Sequence, residues 1–305
     1  MKLLDWNIQR ISATTSRSLI RTLAAIDEID PDALALQEVG DGVRSALINA
    51  LDSRGYVSVT GDAPSRVRGH RVLVAARAPL VGSSPRVFVH PSFPRAIVGI
   101  ELTIGRKSCT LISFHVPNGS NQGWRKADCL HALADLAASH PANQTMLLAG
   151  DANEPASYRP DGSAIPYVSK RERLRFDEQG RVKSTTKPWT DARGVARPVQ
   201  QWYDAIERVF PSGPARTFTE LCLPHHLKPG AEPSHRTRGV PKPLDHLLCV
   251  GPQPKVLSLD YLHHLRNSHT KGAPSDHSAL LVELRVPAPS FPKTDRRQRL
   301  VVSEK

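Results

Sequence analysis

Long apolar runs are missing from this 305-residue chain. No stretch approaches the roughly 20 apolar residues that a membrane-spanning helix needs, so a helical integral membrane protein is excluded. Asp5 and Asn7 interrupt the first apolar residues at once. No signal-peptide core is therefore expected, and the expected location is cytoplasmic. Cysteine is scarce: four residues, at 109, 129, 222 and 249, fall in no metal-ligand spacing. Reduced, buried thiols are their expected state. There is no internal repeat, which removes solenoids and propellers from consideration. Acids are the minority charge, 29 Asp+Glu against 41 Lys+Arg, and the net charge is +12. That balance points to a polyanionic partner, either nucleic acid or an anionic membrane surface, with solubility alone as the plain alternative.

What is present is enough chain for one large α/β domain or two small ones. The basic excess is local. Residues 1–60 hold 6 Lys+Arg and 8 Asp+Glu, whereas residues 159–197 hold 10 and 5. Apolar periodicity predicts a first strand over 3–8 and a helix over 17–29, closed by Asp30-Pro31. A second buried strand runs over 33–39, and a helix over 43–51 has Asp41 near its N-cap. Strands follow at 56–60, 71–76, 86–89, 96–103 and 108–116, the last two around a turn at 104–107. A helix is expected over 124–139 and a shorter one over 200–209. Further strands are expected at 216–219, 244–250 and 278–286. Residues 156–200 read as a basic insertion in which 174–176 and 181–183 pair as a hairpin. Residues 224–243 read as a His-, Pro- and Arg-rich loop, and 287–305 as a polar tail. The domain is thus expected to span residues 1–286.

The stretch Met146-Leu147-Leu148-Ala149-Gly150-Asp151-Ala152-Asn153 organises the rest. A buried strand ends in a glycine, an acid and an amide. Gly150 lets the backbone approach something closely. Asp151 and Asn153 share a face if the strand continues through them. An Asp-Asn turn after a core strand would look the same. Yet polar groups recur at strand ends along the chain: Asn7, Glu38, His115 with Asn118, Asp151 with Asn153, Asp245, and Asp276-His277. Repetition of that kind suggests one sheet edge carrying one site.

The ordered set Trp6-Asn7, Gln37-Glu38, His115-Val116-Pro117-Asn118, Gly150-Asp151-Ala152-Asn153, Leu244-Asp245-His246 and Ser275-Asp276-His277 resembles the endonuclease/exonuclease/phosphatase superfamily. The resemblance implies an α/β four-layer sandwich, two mixed β-sheets packed face to face with helices outside. It also implies a metal-dependent phosphoric diester hydrolase. Glu38 would be the metal ligand, a hard carboxylate suited to Mg²⁺ (or Mn²⁺), with Asp276 as a second. His277 would be oriented by Asp245. Asp151 and Asn153 would position or activate water, His115 would touch a phosphate or leaving-group oxygen, and Asn7 would orient Asp151. Asn118 would contact phosphate. Lys170, Arg171, Arg173 and Arg175, in the basic insertion, would bind the backbone of a nucleic acid.

The pattern has departures. The apurinic branch carries an acid where this chain has Gln9, and a tyrosine where it has His115. Two other functions fit the same residues. One is a phosphatase or phospholipase C-like enzyme acting on phosphoinositide or sphingomyelin headgroups, and the other a catalytically inactive nucleic-acid-binding module. The remaining histidines, among them His225, His226, His235 and His246, show no zinc-site spacing, and most are expected on loops or the surface.

Overall fold

The computed structural model describes residues 1–9, 17–61, 70–105, 107–118, 124–155, 157–165, 200–210, 218–237, 240–266 and 275–286. Between 165 and 200 it describes only 175–176, 182–183, 189–190 and 195–198. The main strands are β1 (Lys2–Asn7), β2 (Ala33–Gly40), β3 (Tyr56–Thr60), β4 (His70–Arg77), β5 (Val87–Val89), β6 (Ile97–Ile104), β7 (Lys107–His115), β8 (Thr145–Asp151), β9 (Thr219–Glu220), β10 (Asp245–Val250), β11 (Lys255–Leu262) and β12 (Ala279–Arg285). The helices are α1 (Arg17–Ile29), α2 (Arg44–Asp52), α3 (Ala78–Val81), α4 (Arg125–Ser139), α5 (Gln200–Val209) and α6 (Leu223–His226).

Two six-stranded sheets form, one in the order β11-β12-β1-β2-β4-β3 and the other β9-β10-β8-β7-β6-β5. Each holds one parallel pair near its centre, β1 with β2 and β7 with β8, while the other pairings are antiparallel. A parallel pair needs a long crossover, and α1 and α4 supply it. The first sheet is assembled from both ends of the sequence, since β1 pairs with β12 (Lys2 opposite Glu283) and the Met1 ammonium donates to the Leu284 carbonyl.

Three apolar interfaces separate the four layers. α1 and α2 pack Leu19, Ile26, Leu47 and Leu51 on the outer face of the first sheet, against Leu4, Trp6, Leu34 and Leu36. α4 and α5 cover the outer face of the second sheet, where Phe114, Met146 and Leu148 meet Leu130, Leu133 and Trp202. Between the sheets lie Leu3, Ala33, Ala35 and Val74 from one side and Leu111, Leu147, Ala149 and Leu247 from the other. Because both faces of each central strand are covered, these strands read as unbroken apolar runs rather than alternating ones.

Most boundaries agree with the sequence expectations to within a residue or two. The Arg175–Phe176 pairing with Val182–Lys183 is present. Differences have physical reasons. Val43 stands at the N-cap of α2, with Asp41 just before it, and the Asp41 carboxylate accepts from Arg71 at 2.6 Å. Lys255–Leu262, unassigned in the sequence reading, is an edge strand; Tyr261 is buried between the sheets with Val256 and Leu259 packed there, but a register shift between Val256 and Ser258 leaves Leu257 exposed and breaks the apolar alternation. Residues 224–243 are no plain loop: they include most of α6 and a hairpin of His235–Thr237 with Val240–Lys242. No helix among the described residues is long and apolar enough to cross a membrane.

Candidate active site

Strand alternation decides which polar groups meet. Leu3, Asp5 and Asn7 point between the sheets, as do Leu147, Ala149 and Asp151 from the opposite sheet, and Cys109, Leu111, Ser113 and His115 beside them. Asn7, Gln37-Glu38, His115 and Asp151 all stand at the carboxyl ends of the parallel strands, where open α/β sheets place their ligands. Asp245 enters from the start of antiparallel β10, directly opposite Asp151. Gly150 permits the approach of β7 and β8: a Cβ there would fall 1.9 Å from the Phe114 carbonyl oxygen.

Two side chains arrive by broken alternation. β2 bulges between Leu36 and Val39, and Glu38 adopts a left-handed φ of 57°. A bulge re-aims a side chain that a regular strand would turn to the outer face. Asn153 does not continue β8, which ends at Asp151. Its φ is 50° and its backbone N–H donates to Asp151 Oδ1 at 2.7 Å, an Asx-type turn. Both the turn and the strand-end readings of this stretch are therefore correct for adjacent residues.

The two sheets are joined at the site by Asn7 Nδ2, which donates to Asp151 Oδ2 at 3.0 Å. His277 Nδ1 lies 2.8 Å from Asp245 Oδ2, and its Nε2 lies 3.8 Å from Asp151 Oδ2. Its ring is held on both flanks. Ser275 Oγ donates to the Asn7 carbonyl and accepts the His277 N–H at 3.0 Å, and the His235 ring stacks on His277 with centroids 4.4 Å apart. His115 Nε2 is 3.8 Å from Glu38 Oε1 and 3.7 Å from Asp151 Oδ2. Asn153 Nδ2 donates to the Val116 carbonyl at 2.9 Å and lies 3.4 Å from His115 Nε2. Asp276 is half-buried beside His277, and Asn118 is exposed at the rim. Thus Asn7, Glu38, His115, Asp151, Asn153, Asp245, Asp276 and His277 do come together. Lys170, Arg171 and Arg173 lie outside the described residues, and Arg175 is described only as a strand position.

Electrostatics divide the cluster. Burial alone would push the His277 pKa down, but the charges of Asp245, Asp151 and Asp276 and the Asp245 hydrogen bond outweigh it and raise the pKa to about 10. Burial would raise Asp245, yet His277 and the Ser234 hydroxyl hold it below the ordinary carboxylate range. Asp151 goes the other way: burial raises it, against the pull of His277 and His115. A carboxylate raised toward neutrality next to a stabilised imidazolium is the pattern of an acid–base pair. Behind them, burial and the neighbouring Asp245 keep Asp5 well above the ordinary range, and Gln37 Nε2 donates to it at 2.8 Å.

Sequence reasoning missed a supporting layer. Lys126 Nζ, nearly fully buried, donates to Glu154 Oε1 at 2.6 Å and to the Asn153 carbonyl at 2.7 Å. His246 Nε2 lies 2.7 Å from the Glu154 carbonyl, and its Nδ1 lies 2.6 Å from Glu220 Oε1. His226, His235 and His246 are thus interior residues, contrary to the surface expectation. Alternation could have flagged His246: it follows Asp245 in a wholly apolar strand, so it must be buried on the opposite face.

Comparison with curated proteins finds no match. Among solved structures, a humanised zebrafish (D. rerio) TDP2 superposes with a TM-score of 0.64 at 12% identity, covering 94% of this chain and 99% of that one. An AP endonuclease from Archaeoglobus fulgidus gives 0.58 at 18% identity, covering 94% and 100%. The human nocturnin catalytic domain with bound sulfate gives 0.55 at 15%, covering 94% of each. At such identities these likenesses establish the fold. The model of the Endonuclease/Exonuclease/phosphatase family matches residues 6–277, which hold every site residue named above. The chain belongs to the endonuclease/exonuclease/phosphatase family of hydrolytic phosphodiesterases and phosphatases.

Proposed function

We propose that the chain is a Mg²⁺-dependent phosphodiesterase of the cytoplasm that hydrolyses nucleic-acid backbone bonds. The observation that carries this reading is the meeting, across two sheets, of the Asn7–Asp151 pair with the Asp245-charged His277, whose Nε2 is 3.8 Å from Asp151 Oδ2. Asp151 accepts the proton of the attacking water, helped by its raised pKa. Asn7 fixes that carboxylate by donating to Oδ2. His277 keeps Nδ1–H on Asp245 and offers Nε2–H, with a full positive charge, to a phosphoryl oxygen. His115 and Asn153 face the same space and donate to the phosphate or the leaving oxygen. Asn118 extends the phosphate contacts at the rim.

The family's enzymes depend on a divalent metal, and the residues here fit one. The Glu38 charge acts on Asp276: after burial and His277 it is a further cause of the Asp276 pKa shift, and it acts upward. Carboxylates that repel at a partly open rim gain from a hard cation that keeps several waters, which favours Mg²⁺, with Mn²⁺ as a substitute. Bound by Glu38 and Asp276, the ion would neutralise charge on the phosphoryl oxygens.

Support for nucleic acid is the basic excess of residues 159–197, which follow Asn153 directly in the chain. Lys170, Arg171, Arg173 and Arg175 are assigned to backbone phosphates on that ground. Incubation with DNA, RNA and phospholipid panels in Mg²⁺ tests the reading. Strand cleavage that stops in chelator is the expected result. Release of phosphocholine or inorganic phosphate with intact nucleic acid would overturn it, as would binding without turnover.

A further inference from the structure

On the far face of the second sheet, a second cluster gathers three groups that no role in the proposed reaction uses: Glu220 of β9, His226 of α6 and His246 of β10. Their ligand atoms lie within 4.8 Å of one another. We propose that Glu220, His226 and His246 form a structural site for one zinc-class ion, separate from the Mg²⁺ position at Glu38 and Asp276. The proposal does not depend on the reaction assigned above.

Three features make this a built site. First, the donors converge on a single oxygen. Glu220 Oε1 is 3.6 Å from His226 Nε2 and 2.6 Å from His246 Nδ1. A tetrahedral ion with bonds of about 2.0–2.1 Å sets its donors roughly 3.3–3.5 Å apart. The His226 arm, at 3.6 Å, is slightly longer than that spacing. The His246 arm must open by roughly 0.8 Å as the ion replaces the proton now shared with Glu220. Second, Glu220 and His246 are each oriented by their other atom, and His226 by ring stacking. Tyr158 donates to Glu220 Oε2 at 2.6 Å, leaving Oε1 to face the imidazoles. His246 Nε2–H donates to the Glu154 carbonyl at 2.7 Å, which fixes the tautomer that presents Nδ1 inward. A ligand histidine bonded through its second nitrogen to a carbonyl is the usual outer arrangement of a metal site. The Tyr158 ring stacks on His226 at 5.6 Å and 16°. Third, there is room and a path. A small cavity shared by Glu220 with Tyr158, Gly162, Phe210, Phe218 and Leu223 adjoins the cluster and can admit a water as fourth ligand.

Donor chemistry selects the ion. Two imidazoles and one carboxylate suit Zn²⁺, not Mg²⁺, which prefers an all-oxygen shell. Aromatic rings flank the cluster, Phe210 at 4.9 Å from His246 and Tyr158 stacked on His226, and all three donor side chains are buried, so the role is structural. The ion would tie three elements together and, through His246, steady the Glu154 carbonyl behind Asn153.

The test uses the full-length protein, stripped by chelator and titrated with Co²⁺ and then Zn²⁺. The expected result is a visible Co²⁺ absorption band saturating at a single equivalent, bleached by Zn²⁺, and a rise in thermal midpoint with Zn²⁺. Both should be lost in His226→Ala and in Glu220→Gln, and kept in Glu38→Ala. Glu220→Gln retains a side chain of the same shape, so it reports even where His226→Ala folds poorly. No band in the wild type, a band unchanged in both variants, or a band lost in Glu38→Ala would each overturn the proposal.

Discussion

Lys126→Met tests whether the segment carrying Asn153 is held by a buried charge. Lys126 and Glu154 are 2% and 0% exposed, and Nζ bonds both the Glu154 carboxylate and the Asn153 carbonyl. Methionine keeps an unbranched stem and removes the ammonium, which lies 5.8 Å from the Trp202 ring centroid. Stranding one partner of a buried pair costs about 3–5 kcal/mol. The unmet Asn153 carbonyl adds about 1–3 kcal/mol where water does not reach it. The sum, at least about 3 kcal/mol, is a large share of the 5–15 kcal/mol that stabilises a typical domain. Urea unfolding should show a lower midpoint with an unchanged slope. Lys126→Met with Glu154→Gln should recover about 1–2 kcal/mol of that loss, because a buried amide is less costly than a buried carboxylate. Activity of the single variant should fall mainly in kcat, since Asn153 sits at a left-handed φ that its surroundings enforce. A single variant within about 1 kcal/mol of wild type, or a double variant less stable than the single, would refute the reasoning.

Other outcomes follow from the same geometry. Glu38→Ala should abolish turnover with the fold intact by circular dichroism, and wild-type activity in excess chelator would contradict the metal reading. Asp245→Asn should bring the His277 titration in metal-free protein down from about 10 toward the ordinary histidine value of 6.5, read by NMR. Because the folded pKa is raised, the stabilisation is complete below 6.5 and disappears as pH climbs through about 10, and the variant should lack that alkaline slope. Activity should suffer less in Asp245→Asn than in His277→Ala. Gly150→Ala should cost about 3 kcal/mol or more, since its methyl meets backbone and not a movable side chain; an unshifted melting midpoint would contradict this. Serine at Lys170, Arg171, Arg173, Arg175, Arg181 and Lys183 should raise KM for long nucleic acid and flatten its salt dependence, leaving a small phosphodiester unaffected.

The fold and much of the site were legible because burial and alternation act residue by residue. Apolar runs ending in Asn7, His115 and Asp151 announce covered central strands and the side chains at their tips. What escaped the sequence depends on geometry that one segment cannot carry. Glu38 reaches the site through a bulge, and Asn153 through a turn. In β11 a register shift between Val256 and Ser258 interrupts the alternation of its apolar residues. His226 and Lys126 are buried because distant carboxylates, Glu220 and Glu154, receive them, and a lone basic side chain gives no hint of its partner.

The assembly of the first sheet from both ends of the sequence has a consequence for synthesis. β1 through β4 are made before the second sheet, but β12, which pairs with β1, is made after every described strand of that sheet. Until then the nascent chain carries a buried-type strand with one edge open, the situation that invites mispairing. His277 lies just before that last strand, so the imidazolium arrives in the same event that closes the edge. A stalled or truncated chain therefore holds a largely complete set of carboxylates and no competent centre.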